Sequence, residues 1–147
     1  DVERSRGLGD VYKRQMLNYG YTVLRATTAR AVIAAGLHPT LGMFHRNEGN
    51  AMRLVDDLME PFRPVIDLKV WQLSRQGETL ITPDTKRTLV RTVYDDMQTP
   101  VGATPLMSCI QRLAVSLTQV YLGERDKLDL PFPGLPLALA ASLADDE

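Results

Sequence analysis

The chain has 147 residues, 44% hydrophobic and 24% charged, which is enough for one domain with a core and excludes a disordered or fibrous class. Its formal net charge of −1 gives no bulk basic signal for nucleic acid, so a DNA-binding role must rest on a local patch. The lone Cys109 excludes an intrachain disulfide and a Cys-based zinc site, which fits a reducing cytoplasm, and no apolar run nears the roughly 20 residues of a membrane span.

The first stretch, DVERSRGLGDVYKRQ over residues 1–15, shows no helical or strand period. The piece SRGLGDVYKRQ resembles the translated read-through of a sequencing-library adapter. A non-native or disordered leader is expected here, ahead of a protein truncated upstream, and it is kept out of the fold. From Met16 to Ala35 the chain is rich in Ala, Leu and Val and reads as a largely buried helix, closed by Gly36. Leu37 to Gly49 is a connection punctuated by Pro39, Gly42 and Gly49, and it carries His38 and His45.

Asn50 is a candidate N-cap for a second helix. Met52, Val55, Met59, Phe62 and Ile66 then form one apolar stripe, with Asp56 and Glu60 at its edge and Asp57 further round toward solvent. Pro61 and Pro64 predict a kink, or a break with a fresh start at Pro61. A turn is expected around Gly77. Thr82-Pro83-Asp84 opens a third helix to about Met97, and Thr104-Pro105 repeats the device for a fourth to about Leu122, stopped by Gly123. Asp129 to Pro136 is an extended arm, and Leu137 to Ala144 a short helix or a frayed end. No strand-like alternation of useful length appears. The chain therefore reads as all-α with about four main helices: a leader over 1–15, a helical domain over 16–127, and a Pro-rich arm and tail over 128–147.

The chemistry concentrates in HRNEGNAMRLVDDLMEPFRP, residues 45–64. A histidine (His45) with carboxylates (Asp56, Asp57, Glu60) is a ligand set that a divalent metal takes, and such metals activate phosphodiester chemistry. On a helix, Asp56 and Asp57 both lie near Glu60, and three like charges together need a cation, an arginine or open water. Each residue also has an ordinary reading. His45 is then a loop histidine, and Glu60 a surface ion pair with Arg53 or Arg63, worth about 0–1 kcal/mol. Asp56 and Asp57 are then a solvated face, and His38 serves a helix dipole or packing. Arg25, Arg30, Arg46, Arg53, Arg63 and Lys69 either meet phosphates or neutralise the acids, and spacing alone does not decide between them. No glycine-rich phosphate loop, nucleophile elbow, Cys-x-x-Cys pair or His-Glu-x-x-His helix is present.

LNYGYTVLRATTARAVIAAGLHPTLGMFHRNEGN followed by DDLMEPFRPVID closely resembles the C-terminal helical domain of the CRISPR-associated protein one, the integrase and endonuclease of spacer acquisition, in its type II-like form. The likeness runs on through LITPDTKRTLV and LAVSLTQVYLGE to LDLP, about residues 16–133. It implies a metal-dependent DNA endonuclease and integrase in antiviral defence. His45 and Glu60 then act as catalytic metal ligands for Mg²⁺ or Mn²⁺, with Asp57 as a supporting acid. The implied partners are a second copy in a homodimer, the CRISPR-associated protein two, and double-stranded spacer-precursor and repeat DNA in the cytoplasm. The family's upstream glutamate ligand and its N-terminal β-domain have no counterpart here, so the 147 residues alone are expected to be inactive. The rival expectations are a non-catalytic helical interaction module with a solvated acidic face, and a metal-dependent hydrolase acting on another substrate.

Overall fold

A computed structural model describes residues 2–40, 51–130 and 136, with side chains from residue 7 onward. Its longest element is helix α1, Val2–Ala34. Met16, Gly20, Leu24, Thr28 and Val32 recur at four-residue steps along it and are all buried. That stripe is the centre of the molecule. Helix α1 packs against α2 (Arg53–Met59), α3 (Arg63–Arg75), α4 (Pro83–Arg91) and α5 (Leu106–Tyr121). The architecture is predominantly α, as the hydrophobic pattern predicts.

The leader departs from expectation. Residues 2–15 continue α1 instead of lacking regular structure. The physical reason is that adding a residue to an existing helix is cheap compared with nucleating one, and this stretch contains no proline. Among its described side chains none joins the core: no residue from Gly7 to Gln15 is buried, and the described core begins at Met16.

Three helices end on the same device. Gly36, Gly77 and Gly123 take positive φ of 79°, 85° and 72°. Behind them, the amides of Leu37, Glu78 and Glu124 reach back to the carbonyls of Val32, Leu73 and Gln119 at 2.9–3.0 Å. These six-to-one closures satisfy carbonyls that a helix end otherwise leaves open.

The predicted apolar stripe of the second helix is present. Val55, Met59, Phe62 and Ile66 are buried, and Met52 is partly so. The prolines break the helix as expected: Glu60–Phe62 is a 3-10 turn, and α3 restarts at Arg63 with Pro64 in its first turn. The candidate cap Asn50 lies outside the described residues, and Met52 occupies the cap position without a side-chain bond.

Helix α4 opens on the predicted device. The Thr85 amide donates to Thr82 Oγ1 at 3.2 Å, and the Thr82 amide donates to Thr85 Oγ1 at 2.7 Å. The expected run to Met97 does not occur. Helix α4 stops at Arg91, a 3-10 turn spans Thr92–Tyr94, and strand β1 (Asp96–Thr99) pairs antiparallel with β2 (Gly102–Pro105). Pro100 and Val101 form the tight connection, and Gly102 takes a φ of 104° that a side chain would resist. Thr104 does not cap α5, because its hydroxyl donates to the Gly102 carbonyl at 3.2 Å inside this hairpin. The arm returns at Pro136, which bridges Met97. Leu137 to Ala144 lies outside the described residues.

Candidate functional site

The break at Glu60–Phe62 sets the site. It turns α3 away from α2 just where the carboxylates lie, beside the middle of α1. Tyr21 and Arg25 sit four residues apart on α1 and so share a face. That face meets Asp56 and Met59 of α2 and Arg63 of α3 around a shallow, open depression of about 300 Å³, which Thr22 completes.

Two cross-helix links build its walls. Arg25 Nε lies 2.9 Å from Asp56 Oδ1 and Arg25 Nη2 lies 3.3 Å from Asp56 Oδ2, a two-pronged pairing of α1 with α2. The Tyr21 hydroxyl donates to Asp67 Oδ1, joining α1 to α3. Desolvation by burial, reinforced by the hydrogen bond to the Asp67 carboxylate, raises the Tyr21 phenol from 10.0 to about 12. The Arg63 guanidinium stands over the Tyr21 ring, 5.2 Å from its centroid.

Glu60 does not line the depression, though its ion-pair partner Arg63 does. Its side chain is 49% exposed, and Oε1 lies 3.2 Å from Arg63 Nε. That is the ion pair foreseen as the ordinary reading. The approach is out of line for a hydrogen bond, and Arg63 Nε is a buried donor without a hydrogen-bond partner among the described residues.

Asp57 corrects the sequence reading. It was expected to face solvent, yet it is only 8% exposed. The buried face of α2 is wider than the predicted stripe: Leu54 and Leu58 are buried as well as Val55 and Met59, and Asp57 lies on the Leu54–Leu58 side. Asp57 and Asp56 both have interaction partners of their own in this region.

His45, the sharpest sequence candidate, lies outside the described residues. The flanks of its segment are described. Leu54 donates its amide to the Pro39 carbonyl at 2.8 Å, and Arg53 Nε donates to the Thr40 carbonyl at 3.0 Å. Pro39 and Thr40 are thereby tied to the N-terminal end of α2. His38 is exposed, with Nδ1 2.7 Å from Thr40 Oγ1. Among the described residues, no three His, Cys, Asp or Glu side chains gather to hold a metal.

The basic residues mostly neutralise acids. Arg25 takes Asp56, Arg63 takes Glu60, and Lys69 takes Asp95 at 3.0 Å. What the sequence reading missed is Tyr21 with its partner Asp67. The available signal was the four-residue step from Tyr21 to Arg25, which aims both at the acids of the next two helices.

Comparison with known proteins gives concordant results. The family described as "CRISPR associated protein Cas1" matches residues 14–89. The CRISPR-associated endonuclease Cas1 of Neisseria meningitidis serogroup C is 37% identical over 124 residues, which span 82% of this chain and 40% of that protein. A Cas1 endonuclease of Francisella tularensis subsp. novicida is 42% identical over 120 residues, spanning 76% of this chain and 37% of that one. Among solved structures, a casposase bound to integration product superposes with a TM-score of 0.74 at 25% identity. That match covers 84% of this chain and 39% of the casposase chain. The chain thus spans about two fifths of the length of these relatives.

Proposed function

This chain belongs to the Cas1 family of CRISPR-associated proteins, and from that premise we propose that it forms the helical catalytic part of a metal-dependent DNA endonuclease and integrase of spacer acquisition. The observation that carries the proposal is where the family match falls. It spans both walls of the polar depression and the carboxylates at the α2–α3 break. The Cas1 relatives are named endonucleases, and the solved casposase is described as bound to an integration product; both support strand cleavage and joining as the reaction class.

His45 and Glu60 are the proposed metal ligands, with Asp57 in support. Among them, the described residues offer carboxylate oxygens, the hard donors that Mg²⁺ and Mn²⁺ take, and Glu60 is open to solvent. A bound divalent ion supplies charge stabilisation at an attacked phosphate. The chain's own contribution is to fix the walls: Arg25 holds Asp56, and Tyr21 holds Asp67 across α1. In integration a DNA 3′-hydroxyl attacks a repeat phosphodiester, and in cleavage water does. The proposed partners are a second copy, the CRISPR-associated protein two and duplex DNA, acting in the cytoplasm. These residues supply two of the three ligands that the family resemblance implies, so the 147 residues alone are expected not to join strands.

A non-catalytic module with a solvated acidic face is the rival. The burial of Asp57 argues against it, because a solvated face does not draw a carboxylate inside. The deciding experiment is strand transfer by a full-length protein carrying this domain, assayed with its protein partner and Mn²⁺ or Mg²⁺. His45→Ala and Glu60→Ala should each abolish joining while leaving the fold intact. Joining at the parental rate by His45→Ala would sink the assignment.

A further inference from the structure

Arg63 has two carboxylates close to it in sequence: Glu60, three residues before it in the 3-10 turn, and Asp67, four residues after it on α3. The structure divides them. Arg63 Nε lies 3.2 Å from Glu60 Oε1, while Asp67 Oδ1 is taken by the Tyr21 hydroxyl. The same tyrosine presents its ring to the Arg63 guanidinium at 5.2 Å. One side chain of α1 therefore occupies an oxygen of the competing carboxylate and also offers the cation a π face. Arg63 is held on Glu60 by charge and shape rather than by an aligned hydrogen bond. Exposed pairs of this kind add little to stability. Their effect is electrostatic and local.

We propose that Arg63 is a built-in counter-ion that guards the Glu60 carboxylate against divalent cations, and that Tyr21, by holding Asp67, is the positioning residue that directs Arg63 to Glu60. The inference rests on the reading of Glu60 as a metal ligand. A divalent cation arriving at Glu60 meets a unit positive charge and must displace it. Asp67 is the alternative seat for the guanidinium, four residues along the same helix, and Tyr21 competes for it at Oδ1. The arrangement keeps Glu60 neutralised until a cation competes successfully for it.

The test is Mn²⁺ binding to the full-length protein carrying this domain, read by water-proton relaxation at low ionic strength, with circular dichroism as the check on folding. Arg63→Gln should tighten binding about tenfold, since a full opposing charge is removed from the site. Arg63→Lys keeps the charge and should stay close to wild type. Tyr21→Phe keeps the ring but frees Asp67 to recruit Arg63, so it should tighten binding about threefold, a gain that a purely structural tyrosine would not produce. Asp67→Asn should give no gain. These differences should shrink at high salt. Equal affinities for wild type and Arg63→Gln, with binding still lost in Glu60→Gln, would overturn the guard and leave Glu60 a ligand. A gain in Arg63→Lys matching that in Arg63→Gln would also overturn it. Mn²⁺ binding indifferent to Glu60→Gln, or no binding by any variant at millimolar Mn²⁺, would overturn the ligand reading and the guard with it.

Discussion

A β-carbon added to Gly20 would lie 2.5 Å from Cγ2 of Ile66. Gly20 is thus a point of close approach between α1 and α3, and the missing side chain is what allows it. Ile66 is itself fully buried, and its branched Cβ leaves it little freedom to move aside. Replacing a mid-helix glycine by alanine ordinarily gains about 1 kcal/mol of helix propensity. Here overpacking opposes that gain at about 1–3 kcal/mol. Gly20→Ala should therefore leave the protein no more stable, and most plainly less stable, by urea denaturation. A gain of a full kcal/mol would show that the helices have room to separate.

Phe62 is the hinge of the 3-10 turn and is fully buried. Phe62→Ala should cost about 3–5 kcal/mol, because a cavity is left beneath the break that also orients Glu60 and Arg63. Denaturant midpoints at unchanged slope would measure it. A near-zero effect would mean that the turn is not seated as described.

Thr82 and Thr85 exchange side-chain and backbone bonds at the start of α4. Thr82→Ala should cost about 0.5–2 kcal/mol, while Thr82→Asp should retain most of the cap and suit the positive end of the helix dipole. Thermal unfolding of the two variants side by side separates the lost oxygen from any general intolerance at the position.

Tyr21 gives a pH signature. Its phenol titrates at about 12 in the folded chain instead of 10.0. Between those values the folded state holds a proton that the unfolded state releases, so stability is fully present below pH 10 and falls as pH rises toward 12. Ultraviolet difference titration should show one tyrosine ionising late, and Asp67→Asn should bring it earlier by removing the carboxylate that disfavours phenolate. If every tyrosine ionised together near pH 10, the link between α1 and α3 would be absent in solution.

Much of the fold could be read directly because local signals and burial agree. The stripe from Val55 to Ile66, the Pro61 break, the Thr82 cap and the closures at Gly36 and Gly123 are all set by residue type at fixed spacing. The hairpin escaped because its strands are four residues each, too short for an alternating pattern to stand out. Thr99-Pro100-Val101-Gly102 was its clue, a proline and a glycine framing a turn. At the site, Glu60 was placed at the edge of the stripe and is found there. Asp57 is buried because Leu54 and Leu58 widen the apolar face of α2 beyond the single stripe that the pattern suggests. Tyr21 and Asp67 were not paired in advance because their meeting depends on how α1 crosses α3, and that crossing is set by an absent side chain at Gly20.

The bridge between Met97 and Pro136 has a consequence for how the molecule behaves among its own copies. Strand β1 is paired with β2 on one side, and its other side would offer open backbone groups to any passing extended chain. The returning arm occupies that side. Proline has no amide to give, so the seal cannot lengthen into a further ladder at that residue. Pro136 therefore acts as a stopper at Met97. Cutting the chain after residue 127 should uncover the margin and make association concentration-dependent, as sedimentation at several concentrations would show.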